Sequence, residues 1–501
     1  MTVTNGAVPG EPRRLPVVVA VLAALVLAGA ASVLIRPATG HPASGSLAAE
    51  TDGLPGAHST AWFCAGPLPV GVPHEASSIA IANRGPRPAT AEVTIVLASG
   101  AGSTEKVAVP ADHESVVGLS HVHGTSVAAV RVVVDGNGFS VVELVQGALG
   151  PDAAPCARQA ASTQYLAVGS TAARNNLAIS LYNPGSTPAV ANVSFATPLG
   201  PESPPAFQGV LVAAGHVVVL FAAHSLPFRR FVSATVRSSG GGIVVGASDT
   251  VENRGVALSA LQGSATRPST RWFFAPTSGG ASASQAFDLM DPGKRPADVE
   301  IRLGGPNGIG EITLALAPGA TTRYVPAGDE SVTAVRWAVV TSLNDAPIVA
   351  AREVLVGSAL KTTAPRAKNA AQRRRRSLFL LPALPVGFTI TSGVTAPADD
   401  WVLIGGQSDP RVSEFVTVAN FTAHPATVWI RPLKGTLAGL GPLRLPADGS
   451  VLVDLADLPA AAGRLALRVT ADVAVVAGEE LYARGSSGSV GLAAPAAFPV
   501  G

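Results

Sequence analysis

Apolar and polar residues alternate along most of this chain, and the alternation stops at turns that recur. One turn occurs four times: Asn83-Arg84-Gly85-Pro86-Arg87-Pro88-Ala89, Asn183-Pro184-Gly185-Ser186-Thr187-Pro188-Ala189, Asp291-Pro292-Gly293-Lys294-Arg295-Pro296-Ala297 and Asn420-Phe421-Thr422-Ala423-His424-Pro425-Ala426. In each, Asn or Asp stands five residues before a Pro-Ala pair. Asn and Asp bond their own backbone, Gly admits positive φ and Pro fixes φ, so the stretch is turn chemistry. Alternating runs lead into it, such as Ile79-Ala80-Ile81 and Phe415-Val416-Thr417-Val418, and others lead out, such as Ala91-Glu92-Val93-Thr94-Ile95 and Val299-Glu300-Ile301-Arg302-Leu303. Alternation at period two marks strands with one buried face. Each turn therefore predicts a hairpin.

An aromatic opening stands upstream of each turn, at Trp62-Phe63-Cys64-Ala65-Gly66, Tyr165-Leu166-Ala167-Val168-Gly169, Trp272-Phe273-Phe274-Ala275 and Trp401-Val402-Leu403-Ile404-Gly405. A second turn follows at Pro110-Ala111, Ala214-Gly215, Pro318-Gly319 and Pro446-Ala447, and two further strands close each unit. Roughly six or seven short strands in about 90–100 residues are what a β-sandwich needs. The expected fold is all-β: four tandem β-sandwich (Ig-like) repeats at 60–157, 162–262, 268–357 and 399–497, preceded by an N-terminal transmembrane helix. The alternative is a single β-propeller-like assembly of the four repeats, although propeller blades normally hold only four strands.

Residues 15–35 form an uncharged apolar run, about as long as the ~20 residues a bilayer-spanning helix takes. Arg13 and Arg14 precede it and Arg36 follows, which by the positive-inside rule leaves residues 1–14 as a cytoplasmic tail. A cleaved signal peptide is the rival, with Ala28-Gly29-Ala30 as the small-residue cleavage pattern. Either way the remainder is exported. The expected localisation is the cell membrane, single-pass, with the bulk of the chain outside. Residues 36–59, rich in Ala, Gly, Ser and Pro, read as a flexible stalk, and 358–398 as a basic linker.

Composition agrees with a chain of strands and turns. Of 501 residues, 53 are Gly and 41 Pro, and only 14% are charged. A net charge of +2 argues against a nucleic-acid partner. The two cysteines, Cys64 and Cys156, lie near the start and end of the first unit. In an oxidising compartment they are expected to form a disulfide, which would contribute about 4 kcal/mol in the chain-entropy model. Two buried free thiols are the alternative.

The repeat resembles one found in actinobacterial envelope proteins: Trp-aromatic-x-Ala-x-Gly, an apolar strand ending in Asn-Pro, then alternating Val, and a closing strand. Trp272-Phe273-Phe274-Ala275, Asp291-Pro292 and Pro347-Ile348-Val349-Ala350-Ala351-Arg352-Glu353 carry the likeness. Trp62-Phe63-Cys64-Ala65-Gly66 is similar to the opening of a membrane-anchored family of unknown function in those bacteria. Such motifs are structural and bring no catalytic residues. Tyr165 in place of Trp, and Phe421 in place of Pro, depart from the pattern.

Little in the chain reads as chemistry. His113, His121 and His123 make a weak metal candidate, since residues two apart on a strand share a face. Zinc sites usually need three or four protein ligands, and a solvated loop explains the same residues. Arg373, Arg374, Arg375 and Arg376 form a basic block that an anionic envelope surface would attract, or that a solvated linker would simply carry. Glu143, Glu353, Glu479 and Glu480 fall on last strands. In a linear array they would lie far apart, as repeated charges on exposed faces. Surface Trp stacks on sugars, but Trp62, Trp272 and Trp401, recurring at matching positions in three of the units, are expected to fill cores. No nucleophile elbow, phosphate loop or metalloprotease motif occurs. The expectation is a non-catalytic protein without cofactor, acting as a scaffold or interaction module in the cell envelope, with cell-wall polymer or another envelope protein as partner. A carbohydrate-binding array and, further off, an envelope hydrolase are the alternatives.

Overall fold

The turns punctuate strands as expected, but the recurrent turn closes no hairpin. The strands on either side of it, such as Ala76–Asn83 and Ala89–Leu97, do not pair with each other and pass from one sheet to the other, and all strands pair within units. A computed structural model describes residues 59–70, 76–119, 126–147, 150–253, 256–277, 283–305, 308–326, 336–356, 387–408, 412–437, 440–455, 463–484, 490–493 and 497–500. The apolar run 15–35, the stalk up to residue 58, and Arg373 to Arg376 lie outside the described residues. Among the described residues no helix is long and apolar enough to cross a membrane.

The first unit has eight strands: β1 (Ser59–Val70), β2 (Ala76–Asn83), β3 (Ala89–Leu97), β4 (Gly100–Val109), β5 (His113–Gly118), β6 (Ser126–Asp135), β7 (Phe139–Gly147) and β8 (Gly150–Pro155). They form two antiparallel sheets, ordered β1-β6-β3-β4 and β5-β2-β7-β8. The second unit repeats this from Thr163–Leu166 to Val256–Gly263, with two short strands sharing the place of β4. In the fourth, one strand, Gly463–Arg484, serves as both sixth and seventh and joins the two sheets.

An immunoglobulin constant-type sandwich seats its first two strands side by side, whereas here β1 pairs with β6, and β2 pairs with β5 and β7. The units are two-sheet bodies without the Ig-like order. The third unit also does not end at residue 357. Its eighth strand is Gly387–Ser392, which pairs with Val349–Val356 and lies inside the stretch read as basic linker.

The sheets of a unit share a core. In the second, Ile179 and Leu181 from one sheet join Val193, Phe195 and Val236 from the other, all buried. The recurrent turn is held by its Asn. Asn183 accepts from the Gly185 N–H and donates to the Thr187 and Val212 carbonyls. Asn83 and Asn420 repeat the pattern. The second turn places Asp112, Gly215, Gly319 and Asp448 at φ of 50–68°, a region open to Gly and tolerated by Asp.

Trp62, Trp272 and Trp401 are buried core residues. The Trp272 indole donates to the Ile348 carbonyl, and the Trp401 indole to the matching Val475 carbonyl. The counterpart in the second unit is Gln164, not Tyr165. Gln164 stands opposite Val236 as Trp272 stands opposite Val340, and its amide donates to the matching Ile243 carbonyl. A one-residue slip along a strand exchanges its faces, which is why Tyr165 points out of this core.

The units do not form a linear array. β1 packs on Asn176–Tyr182 and Val244–Asn253 of the second unit. Ala167, Val168 and Leu258 of the second join the core of the third. Arg271–Thr277 of the third packs on Val412–Asn420 and Gly463–Arg484 of the fourth, and Ala398–Ser408 of the fourth returns to β2 and β7. The ring is therefore closed. Its eighth strands meet on the axis: β8 and Gly387–Ser392 each lie beside both Val256–Gly263 and Val490–Ala493. Closure is by packing, since every sheet stays within its unit. The closed arrangement is the feature of the propeller-like alternative, but each unit holds two sheets where a blade holds one.

Candidate functional site

Ring closure brings one register position from each unit towards the axis. On the seventh strands, Glu143 stands opposite Ile79, Ala247 opposite Ile179, Arg352 opposite Phe287 and Glu479 opposite Val416. Glu143, Glu479 and Glu480 are 2%, 1% and 3% exposed, so they are not the exposed charges expected of a linear array.

Burial sets their chemistry. The Glu143 carboxylate accepts from the Gly66 N–H at 3.0 Å, yet burial pushes its pKa up to about 8, with Asp152 adding to the rise. Asp152, on β8, accepts from the Ala153 N–H at 3.0 Å and from the Ser259 hydroxyl, across the ring axis, at 3.4 Å. Burial raises it to about 7. Glu479 is pushed well above the usual carboxylate range by burial and then by the neighbouring Glu414 and Glu114. Arg352, 4% exposed, donates to the Ala275 carbonyl at 2.6 Å and lies over the Phe274 ring. Burial lowers it to about 10, opposed by Glu480 of the next unit.

Glu143, Arg352, Glu479 and Glu480 line a cavity of about 470 Å³ on the ring axis. All four units contribute to its wall, and so do the segments that join them, through Arg158, Arg267 and Val394. Among the described residues its lining includes no His and no free thiol. A second buried charge cluster lies between the second and third units. Arg323 there bonds Asp288 at 2.8 and 3.1 Å and Glu353 at 2.8 and 3.3 Å. Asp249 beside it is pushed well up by burial and then by Glu353. Glu353 thus belongs to this cluster rather than to the cavity.

Cys64 and Cys156 form a disulfide, with Cα atoms 4.3 Å apart, joining β1 to the segment that leaves β8. Among the described residues, Cys64, Glu143 and Cys156 are the one His/Cys/Asp/Glu group close enough to share an ion, and the disulfide uses both sulfurs. His113 is half-buried on β5 and joins no such group, while His121 and His123 lie outside the described residues. Asn420, a glycosylation sequon by pattern, is buried in its turn. Sequence reasoning missed Arg352, Arg158 and Arg267. The available signal was the mixture of Glu, Ala, Arg and Glu at one repeated position.

The model of a family of unknown function, DUF5719, matches residues 56–220 and again residues 146–359. No curated protein matches the chain. Of solved structures, Thermotoga maritima 1070 is 12% identical, with 25% of this chain and 94% of that one covered and a TM-score of 0.18. Two B repeat units of the collagen binding protein of Staphylococcus aureus are 9% identical, with 82% of this chain and 94% of that one covered and a TM-score of 0.10. TM-scores of this size define no common overall fold. The family match spans more than half of the sequence, and the chain belongs to the DUF5719 family.

Proposed function

We propose that this protein is a non-catalytic binding module of the cell envelope, anchored by residues 15–35 and carrying its ring of β-units outside the membrane. The observation that carries the reading is the axial cavity, about 470 Å³ in volume, to which every unit contributes. Binding pockets commonly occupy a few hundred cubic ångströms between packed elements. The Cys64–Cys156 disulfide supports an oxidising compartment, and the apolar run with Arg13 and Arg14 before it supports export. The actinobacterial setting rests on the resemblance of the repeats. Sugar stacking on Trp62, Trp272 and Trp401 is not part of the reading, because all three are buried.

The test is photo-cross-linking in intact cells. A photoreactive residue replaces Gln159 or Thr266, both exposed at the cavity, or Lys106, exposed away from it. Capture confined to positions 159 and 266 is expected. Equal capture from position 106, or turnover of an envelope substrate by the purified protein, would remove the reading.

A further inference from the structure

The axial cavity carries a charge balance that its composition conceals. Three Arg line it: Arg158 from the segment joining the first two units, Arg267 from the segment joining the second and third, and Arg352 from the seventh strand of the third. Three Glu line it as well. Burial holds Glu143 and Glu479 towards the protonated form, which reduces the negative charge they bring to the cavity. Among the described residues, the remaining lining acid is Glu480, beside Arg352, against three guanidinium groups.

A second observation is independent of titration. Arg352 is almost fully buried and spends Nη1 on the Ala275 carbonyl, but its Nε has no hydrogen-bond partner. Thr417, also fully buried and on the same wall, has a hydroxyl without a partner. A Cβ on Gly478 would lie 3.0 Å from that hydroxyl and 2.9 Å from the Ala275 Cβ, so Gly478 lets Thr417 approach Ala275, the residue whose carbonyl Arg352 bonds. Unspent buried donors are costly and rare in native proteins. Oxygen atoms of a ligand would satisfy both. Guanidinium groups match phosphate and carboxylate oxygens in geometry as well as charge.

We propose that the axial cavity binds a small hydroxylated molecule bearing a phosphate or carboxylate group, with Arg352 as its inner cationic contact and Arg158 and Arg267 at the rim. This rests on the reading of the ring as a binding module and adds the chemistry of the ligand.

The experiment is calorimetric titration of the purified protein with glucose 6-phosphate, glucuronate, inorganic phosphate and glucose at millimolar concentration. At least one of the two charged sugars binds, and glucose binds about tenfold more weakly or not at all, as loss of a charge-assisted contact requires. Comparison of glucose 6-phosphate with glucuronate separates phosphate from carboxylate as the recognised group. Arg267 is exposed, so Arg267→Gln leaves the thermal midpoint unchanged while weakening the charged sugar about tenfold. Arg352→Lys keeps the charge but loses the fork and weakens binding further; if it fails to fold, Arg267→Gln still decides the matter. Glucose binding as tightly as the charged sugars would overturn the anion assignment and leave the binding module standing. Absence of binding by all three charged probes, or no effect of Arg267→Gln, would overturn the assignment too.

Discussion

At the scale of the residue, the four copies of the turn form a natural substitution series. Asn83, Asn183 and Asn420 each donate to two carbonyls and accept one N–H. Asp291 keeps the accepted bond, from the Gly293 N–H at 2.7 Å, but its second oxygen is buried without a partner. Burial accordingly raises its pKa. Asp291→Asn should restore the missing donors and stabilise the protein by about 1–2 kcal/mol, the size of one relieved buried group. The gain should be larger at alkaline than at acid pH, because the ionised carboxylate is the costly form. Urea unfolding of both proteins checks this, and a loss of stability would mean that Asp291 has a role of its own. Glu143 gives a second prediction at this scale. Its pKa rises from 4.5 to about 8 on folding, and that of Asp152 from 3.8 to about 7. The folded form keeps protons that the unfolded form releases, so stability present in acid is lost as pH rises from about 4.5 through about 8. Glu143→Gln, which cannot ionise, should flatten the fall of thermal midpoint over that window. An unchanged slope would show that other groups set it.

At the scale of the element, the departures from the repeat are where units touch. Phe421 replaces the Pro expected in the fourth turn, and its ring lies 5.1 Å from Phe273 and 5.0 Å from Trp337, both in the third unit. Trp337 in turn donates its indole N–H to the Asp448 carbonyl of the fourth. Its ring packs against Gly304, where an added Cβ would come within 1.9 Å of the indole. Gly304→Ala should therefore displace Trp337 and destabilise the junction by about 1–3 kcal/mol, as overpacking does. A variant with unchanged unfolding would show that the indole relocates freely. Strands and turns could be read directly from the sequence because alternation and Asn-Gly-Pro chemistry are local. The opening strand of the second unit could not be aligned correctly. Tyr165 resembles Trp in kind, but Gln164 resembles it in what it bonds, and only the ladder register separates the two.

At the scale of the whole molecule, closure stood in the sequence only as the propeller-like alternative, and nothing in the repeats decided for it. Side chains that join units, such as Tyr182 and Val217 against Ala65 and Ala129, are the same apolar types that fill each core. Alternation reports that a face is buried and not what buries it. The candidate site was hidden for the same reason: Glu143, Arg352 and Glu479 are more than a hundred residues apart and meet at one cavity only because the ring closes. The third unit takes its last strand from Gly387–Ser392, some thirty residues beyond the seventh, which ends at Val356. A protease site inserted between residues 357 and 386 should therefore be cleaved without dispersing the protein. The two fragments should co-elute in gel filtration until denaturant is added, and separation in native buffer would count against the pairing of Gly387–Ser392 with Val349–Val356. The ring is then a natural split protein. Each piece carries part of the third unit, so either one alone is incomplete, and reassembly of the two would report directly on whether the circle has formed.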